Sequence, residues 1–247
     1  MAFTGAHLTD QGSHASELDA WLYKKLNIAK PGYEPDALTA ARIWKHCRDN
    51  EDFFIFNFVR TRDEHDAESP VKPFPDWPYL REILHHIRSY PITAIAKSRQ
   101  MTVTWLLTAH AIWHARFWPH RLIFIQSKKE EDAANLVFNQ DWVNARGSFI
   151  ELNLPKFLRM RGLKAKYGQL FYPNGSHIWG IPQGSHIIRS YTASEIIMDE
   201  AAFQPQFEEA YTAALATVKG GGRLVACSTA LANTFFAKIC GQDENDD

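Results

Sequence analysis

The chain has 247 residues, enough for one large domain or a domain with an added subdomain and a sizeable core. At 45% hydrophobic and 22% charged residues, with a formal net charge of −1, it has an ordinary globular composition and no global basic field; any contact with nucleic acid needs a local patch or a larger assembly. Cys47, Cys227 and Cys240 have no C-x-x-C partner, which argues against a disulfide framework or zinc site and fits a reducing compartment, and no apolar run is long enough to cross a bilayer.

The start, MAFTGAHLTDQGSHASELDA, is polar and lacks the basic stretch and apolar core of a secretory signal. Residues 1–50 read as short helices. In SELDAWLYKKLNI, Ser16 is a plausible cap, and Leu18, Trp21, Leu22 and Leu26 share a face. EPDALTAARIWKHCRDN is a second helix candidate. EDFFIFNFVR is apolar throughout and fits either a strand or a buried helix. TRDEHDAESPVKPFPDWP, charged and then proline-rich, reads as an irregular connector into the helix YLREILHHIRSY.

From there the rhythm changes. ITAIA, RLIFIQ, EIIMDE and RLVACST are short apolar runs of strand type. VTWLLTAHAIWHARFW, KEEDAANLVFNQDWVNA and QFEEAYTAALATVKG follow the first three as helical patterns. Such alternation predicts a parallel sheet flanked by helices. YGQLFYPNGSHIWGIPQG carries Asn174-Gly175 between two alternating runs, which predicts an antiparallel hairpin added to that sheet. The glycines at 220–222 read as a helix stop, and GQDENDD as an acidic tail.

Two stretches carry chemistry. EIIMDEAAF runs apolar along a strand and ends in Asp199-Glu200; in nucleotide hydrolases such a pair holds Mg²⁺ and polarises the attacking water. Alone, an apolar strand ending in an acidic turn is a modest signal. AKSRQMTVTW lies between a strand and a helix, the setting of a phosphate loop. Yet G-x-x-x-x-G-K-[ST] laid over residues 97–104 puts Lys97 at the first Gly, Thr102 at the second and Val103 at the Lys; only Thr104 fits. Phosphate binding needs inward N–H groups at a helix start, a hydroxyl for Mg²⁺ and a nearby cation. Thr104 can supply the hydroxyl, and Lys97 and Arg99 the charge. The alternative is a surface turn with an ordinary basic KSR.

KSRQMTVTW, IMDEAAF and ACSTA, in this order, resemble the ATPase domain of large terminase subunits, the DNA-packaging motors of tailed phages and their prophages, over roughly residues 70–235. The resemblance implies ATP bound by Lys97, Ser98, Arg99, Gln100, Met101, Thr102, Val103 and Thr104, with Lys97 as a displaced loop lysine. It implies Mg²⁺ on Thr104 and Asp199, Glu200 as the catalytic glutamate, and Ser228 and Thr229 as the coupling motif. Arg189, eleven residues before Glu200, resembles an arginine finger acting on a neighbouring subunit; a structural salt bridge is the other reading. Two departures stand out. Thr102 replaces a glycine where positive φ would be costly for a β-branched residue. Leu80 lies near the place of an adenine-reading glutamine, leaving Phe74, Trp77 or Tyr79 to stack on the base or simply to pack.

The expected architecture is an α/β phosphate-loop fold: a helical N-terminal region or lid over 1–70, an ATPase core over 71–240, and an acidic tail or linker start over 241–247. No segment has room for the nuclease domain that full-length members carry, so nuclease activity is not expected. The family implies double-stranded DNA, a portal protein, a small terminase subunit and a homo-oligomeric ring of five as partners, in the host cytoplasm and transiently at the procapsid. LRMRGLKAKYG, with Arg159, Arg161, Lys164 and Lys166 and with Lys156 just before, is the local candidate for DNA-backbone contact, a solvated loop being the alternative. His110 and His114 have metal-ligand spacing but no third ligand nearby in sequence, and read as ordinary helix-face histidines, as do His85 and His86. The function expected is ATP hydrolysis coupled to DNA movement. A helicase-like DNA-dependent ATPase and a non-hydrolysing nucleotide-binding module are the rivals.

Overall fold

Short polar side chains cap the first two described helices. In the computed structural model, which describes residues 33–241, Asp36 accepts from Thr39 N at 3.0 Å and opens α1 (Ala37–Asp49). Asn50 caps α2 (Glu51–Phe58) through Phe53 N, with Glu51 and Asp52 complementing the helix dipole in the first turn. That cap settles EDFFIFNFVR as a buried helix. Pro78 occupies the first turn of α3 (Pro78–Ser89), whose Leu80, Leu84 and Ile87 are buried on one face. The first helix candidate, around residues 16–28, and the acidic tail beyond Gly241 lie outside the described residues.

The connector between α2 and α3 is a correction. It contains an antiparallel pair, β1 (Arg60–Arg62) with β2 (Val71–Pro73), with Asp63 and Asp66 accepting backbone N–H groups in the turn and Lys72 ion-paired to Asp66. Strands of three residues, Arg-Thr-Arg and Val-Lys-Pro, are too short to carry an alternation to read.

The main sheet has seven strands: β3 (Ile92–Lys97), β4 (Leu122–Ser127), β5 (Lys164–Lys166), β6 (Gln169–Phe171), β7 (His177–Pro182), β8 (Glu195–Asp199) and β9 (Arg223–Thr229). Their order is β3-β9-β8-β4-β7-β6-β5. The first five are parallel, and β6 and β5 add antiparallel. The Asn174-Gly175 turn joins β6 to β7, with Gly175 at φ 85. Helix α4 (Val103–Phe117) follows β3 and is buried nearly all round, α5 (Glu130–Val137) follows β4, and α8 (Phe207–Lys219) follows β8. The predicted helix over KEEDAANLVFNQDWVNA stops at Val137. Gln140 turns to φ 60, Asp141 accepts from Val143 N and Asn144 N, and a separate α6 (Arg146–Asn153) begins. Short helices α7 (His186–Ser190) and α9 (Phe235–Ile239) complete the described chain, and the glycines at 220–222 end α8 as expected.

Strand period sorts the core. Ile123, Ile125, Ile197, Val225 and Cys227 face one side of the sheet, where α1 to α4 pack. Phe124, Ile196, Met198, Leu224 and Ala226 face the other, against α8 and α9. β8 is buried along its whole length, as a central parallel strand should be. Gly180 lets α5 lie close on β7: a Cβ there would meet the Ala133 carbonyl oxygen at 2.6 Å.

Candidate functional site

Parallel register decides which side chains meet. Lys97 ends β3 opposite Thr229 of β9, with Ala96 opposite Ser228, and Asp199 ends β8 opposite Cys227. The carboxyl ends of three strands therefore come level, where open α/β sheets build their sites. Thr104, in the first turn of α4, donates its hydroxyl to Asp199 Oδ1 at 3.0 Å. Burial pushes the Asp199 carboxyl pKa up, the Cys227 thiol bonded to it at 3.1 Å pulls it down, and neighbouring Glu200 adds to the rise.

Glu200 adopts a left-handed backbone (φ 51, ψ 45), uncommon for a non-glycine residue and concentrated at functional sites. Its Oε1 accepts from Lys97 Nζ at 2.7 Å. Ser228 Oγ stands 3.4 Å from Oε2, and Thr229 N and Oγ1 stand 3.5 Å from it, long for hydrogen bonds. The Lys97 side chain is only 8% exposed. Burial alone would lower its pKa, but the Glu200 bond and the nearby carboxylates outweigh it, and the pKa is raised. Three motifs far apart in sequence thus converge on one carboxylate pair.

The loop itself is irregular. Gln100 and Thr102 both have positive φ, at 60° and 58°, and Tyr79 OH donates to Met101 O at 3.1 Å. Loop and strand ends open onto a cleft of about 820 Å³, a size suited to a nucleotide. The β1–β2 hairpin forms its far wall, and Trp77, 44% exposed, lines it. Trp77 stacks on Tyr79 with ring centroids 5.7 Å apart. Phe74 is buried against Phe56 and is removed as a base-stacking candidate.

One cleft residue has no counterpart in the sequence reading. Arg146, the first residue of α6, points its guanidinium over the Trp105 ring at 5.6 Å. Its Nε is buried without a partner, and among the described residues no carboxylate is ion-paired to it. Burial lowers its pKa, against the pull of Asp199. A lone arginine in ARGSF carries no motif; only the packing of α6 beside α4 gives it a place.

Other expected residues lie elsewhere. Arg189, on α7, is 60% exposed, sits 3.5 Å from Glu209 and does not line the cleft. The basic stretch is half β-structure: Lys164 and Lys166 stand exposed on edge strand β5, and Arg161 is exposed in the turn before it. Arg159 is held by the carbonyls of Leu152 and Leu154, and Lys156 pairs with Glu34. His110 and His114 are not ordinary helix-face histidines: both contact Glu195, which the sequence showed only as the first residue of a strand.

No family model matches the sequence, and no curated protein matches it. Among solved structures, the HK97 bacteriophage large terminase is similar, with a TM-score of 0.58 and 16% identity over 78% of this chain and 40% of that one. The Thermus phage P74-26 large terminase ATPase domain gives a TM-score of 0.48 and 14% identity, over 67% of this chain and 69% of that one. The first likeness is one of fold, and this chain spans less than half the length of the HK97 protein.

Proposed function

We propose that this chain is a motor ATPase of the large-terminase kind, hydrolysing Mg·ATP to drive double-stranded DNA into a viral procapsid. The observation that carries the reading is the carboxylate pair at the end of β8. Asp199 and Glu200 stand within bonding reach of Thr104 and Lys97, beside a cleft whose Arg146 lacks a carboxylate partner. A hydroxyl hydrogen-bonded to a buried carboxylate is a donor set suited to a small hard cation. Thr104 and Asp199 would hold Mg²⁺, which when bound neutralises charge on the phosphate oxygens.

The chain's own residues do the rest. Glu200 orients and polarises the attacking water. In the arrangement described here it is tied to Lys97, so the base is masked until the lysine turns to phosphate. Arg146 supplies a positive charge from the same chain, on the cleft wall, where it can stabilise the transferred phosphoryl group. Arg189 lies outside its own cleft, in a long exposed contact with Glu209; it would reach the site of a neighbouring subunit in a ring. Ser228 and Thr229, poised near Glu200, couple the state of the cleft to β9. The β1–β2 hairpin would cover the cleft, and Arg161, Lys164 and Lys166 would meet DNA phosphates. The portal protein and small subunit belong to the same reading.

The test is ATP turnover with Mg²⁺ over a range of protein concentrations, beside Glu200→Gln. Turnover is expected to rise faster than concentration and to fall at least about 10²-fold in the variant, the scale of a lost general base. Nucleotide binding with no turnover in either protein, even with DNA present, would favour a non-hydrolysing module.

A further inference from the structure

At the opposite end of β8 from Asp199 lies a second cluster that the nucleotide reading does not use. Glu195 is the first residue of β8, its side chain 0% exposed, and it sits about 13 Å along the strand from Asp199 by strand rise. Its two oxygens each face an imidazole nitrogen from α4. Oε1 is 2.8 Å from His110 Nε2, and Oε2 is 2.7 Å from His114 Nδ1. His110 and His114 are four apart and so share a helix face. The three candidate ligand atoms all lie within 4.8 Å of one another, and among the described residues this is the one such group of three.

The surroundings carry the argument further. On its far side, His110 Nδ1 meets Glu51 Oε1 at 2.5 Å, and Glu51 Oε2 accepts from Arg88 Nη1 at 3.0 Å. A carboxylate on the outer ring nitrogen is the arrangement that orients a metal-binding histidine and fixes the tautomer with Nε2 free to ligate. The charges point the same way. Glu51, Asp52 and Glu195 make three negative charges along this chain of contacts, against one guanidinium, Arg88, which also binds Asp52 at 2.6 Å. Arg81 bonds Asp76 at 2.7 and 2.8 Å and also reaches Asp52 at 3.5 Å, so Arg81 and Asp76 together add one charge of each sign. Two positive charges are missing. Two protons on the imidazoles or one divalent cation would supply them.

We infer that His110 Nε2, His114 Nδ1 and the Glu195 carboxylate form a binding site for one divalent transition-metal ion, with Glu51 as the carboxylate that orients His110. Two nitrogens and one carboxylate suit zinc and its neighbours rather than Mg²⁺. The present 2.7 and 2.8 Å separations would open to roughly 3.3 Å around a tetrahedral ion with ordinary bond lengths, a shift that side-chain rotation can supply. His114 is 16% exposed, which gives the ion an entry path and leaves a position for water. The role is structural. The ion would fasten the helix that follows the loop to the strand that ends in Asp199-Glu200, fixing the separation of those two parts from below.

The experiment is titration of the chelator-treated full chain with Zn²⁺ by calorimetry, with Co²⁺ as a spectroscopic probe. One equivalent is expected, with the visible bands of a four- or five-coordinate Co²⁺ site and a higher Tm with zinc. His114→Ala, at the partly exposed ligand, should lose the bands and at least about 100-fold in affinity. Glu51→Gln should weaken binding about 10- to 100-fold, the range for an outer carboxylate. His86→Ala, at an exposed position of α3, should change neither. If His114→Ala keeps its fold by circular dichroism and still binds like the parent, the site is wrong. If the parent takes up no ion, the cluster is held by protons alone and the proposal is overturned.

Discussion

Thr102 holds a left-handed backbone without the glycine that usually occupies such a position. Its φ is 58° and its side chain makes no capping bond to α4. For a β-branched residue that conformation costs about 1–2 kcal/mol, while a glycine there would give back about 0.5–1 kcal/mol in chain entropy. Thr102→Gly is therefore expected to raise stability by up to about 1 kcal/mol in urea melts. It should also tighten Mg·ATP binding, because the loop amides can approach phosphate without a side chain in the way. A fall in both would show that the threonine side chain itself holds the loop. Arg146 yields a second expectation. Arg146→Ala should lower turnover by about 10²-fold or more, the scale of a lost electrostatic donor, with far-UV circular dichroism unchanged. Full turnover in this variant would remove it from the reading. Residue-scale legibility was uneven for a physical reason. Asp199 and Glu200, a modest signal alone, could be singled out because they end the third strand of an α/β pattern, downstream of a candidate loop. Arg146 and Glu195 are ordinary residues in sequence, and only the packing of α6 and α4 gives them surroundings.

Elements with a regular period or a clear turn signal could be read; α2, apolar all round, could not be told from a strand despite its Asn50 cap, and elements stabilised only by tertiary contact could not be read. Asn174-Gly175 announced the β6–β7 turn. The β1–β2 pair, α6 and β5 are short and polar and depend on what they pack against. Strand β7 holds an unforeseen consequence. His177 pairs with Phe171 across the β6–β7 ladder and stacks on it at 4.3 Å, with the Trp179 ring centroid 5.9 Å away. Its Nε2 is buried without a partner, and burial lowers its pKa to about 4. The unfolded chain takes up this proton near pH 6.5, and the folded chain only near 4. The stability tied to the neutral ring is therefore complete above about pH 6.5 and is lost as pH falls through 4. The effect is at most about 3 kcal/mol and is smaller where water reaches the ring. Urea melts of the parent and His177→Phe between pH 7 and 4 should show the parent losing more stability on acidification. Parallel profiles would mean that the ring protonates in place.

At the scale of the molecule, alternating apolar runs and helical patterns were enough to predict a parallel sheet with an antiparallel addition. They could not give the strand order, because order depends on crossovers that leave no local pattern. That order matters to function: it leaves Arg189 on α7, at the surface beside Glu209, rather than in the chain's own cleft. An arginine so placed acts, if it acts in catalysis, across a head-to-tail interface between copies. The consequence can be tested with two inactive proteins. Arg189→Ala retains its own Glu200 but cannot complete a neighbour's site. Glu200→Gln retains Arg189 but cannot hydrolyse. Mixed one to one before assembly, about a quarter of heterologous interfaces would pair an intact Glu200 with an intact Arg189. ATP turnover of the mixture should recover to about a quarter of the parent's if interfaces assemble at random and act independently. Arg189→Ala alone as active as the parent would return Arg189 to its surface ion pair with Glu209.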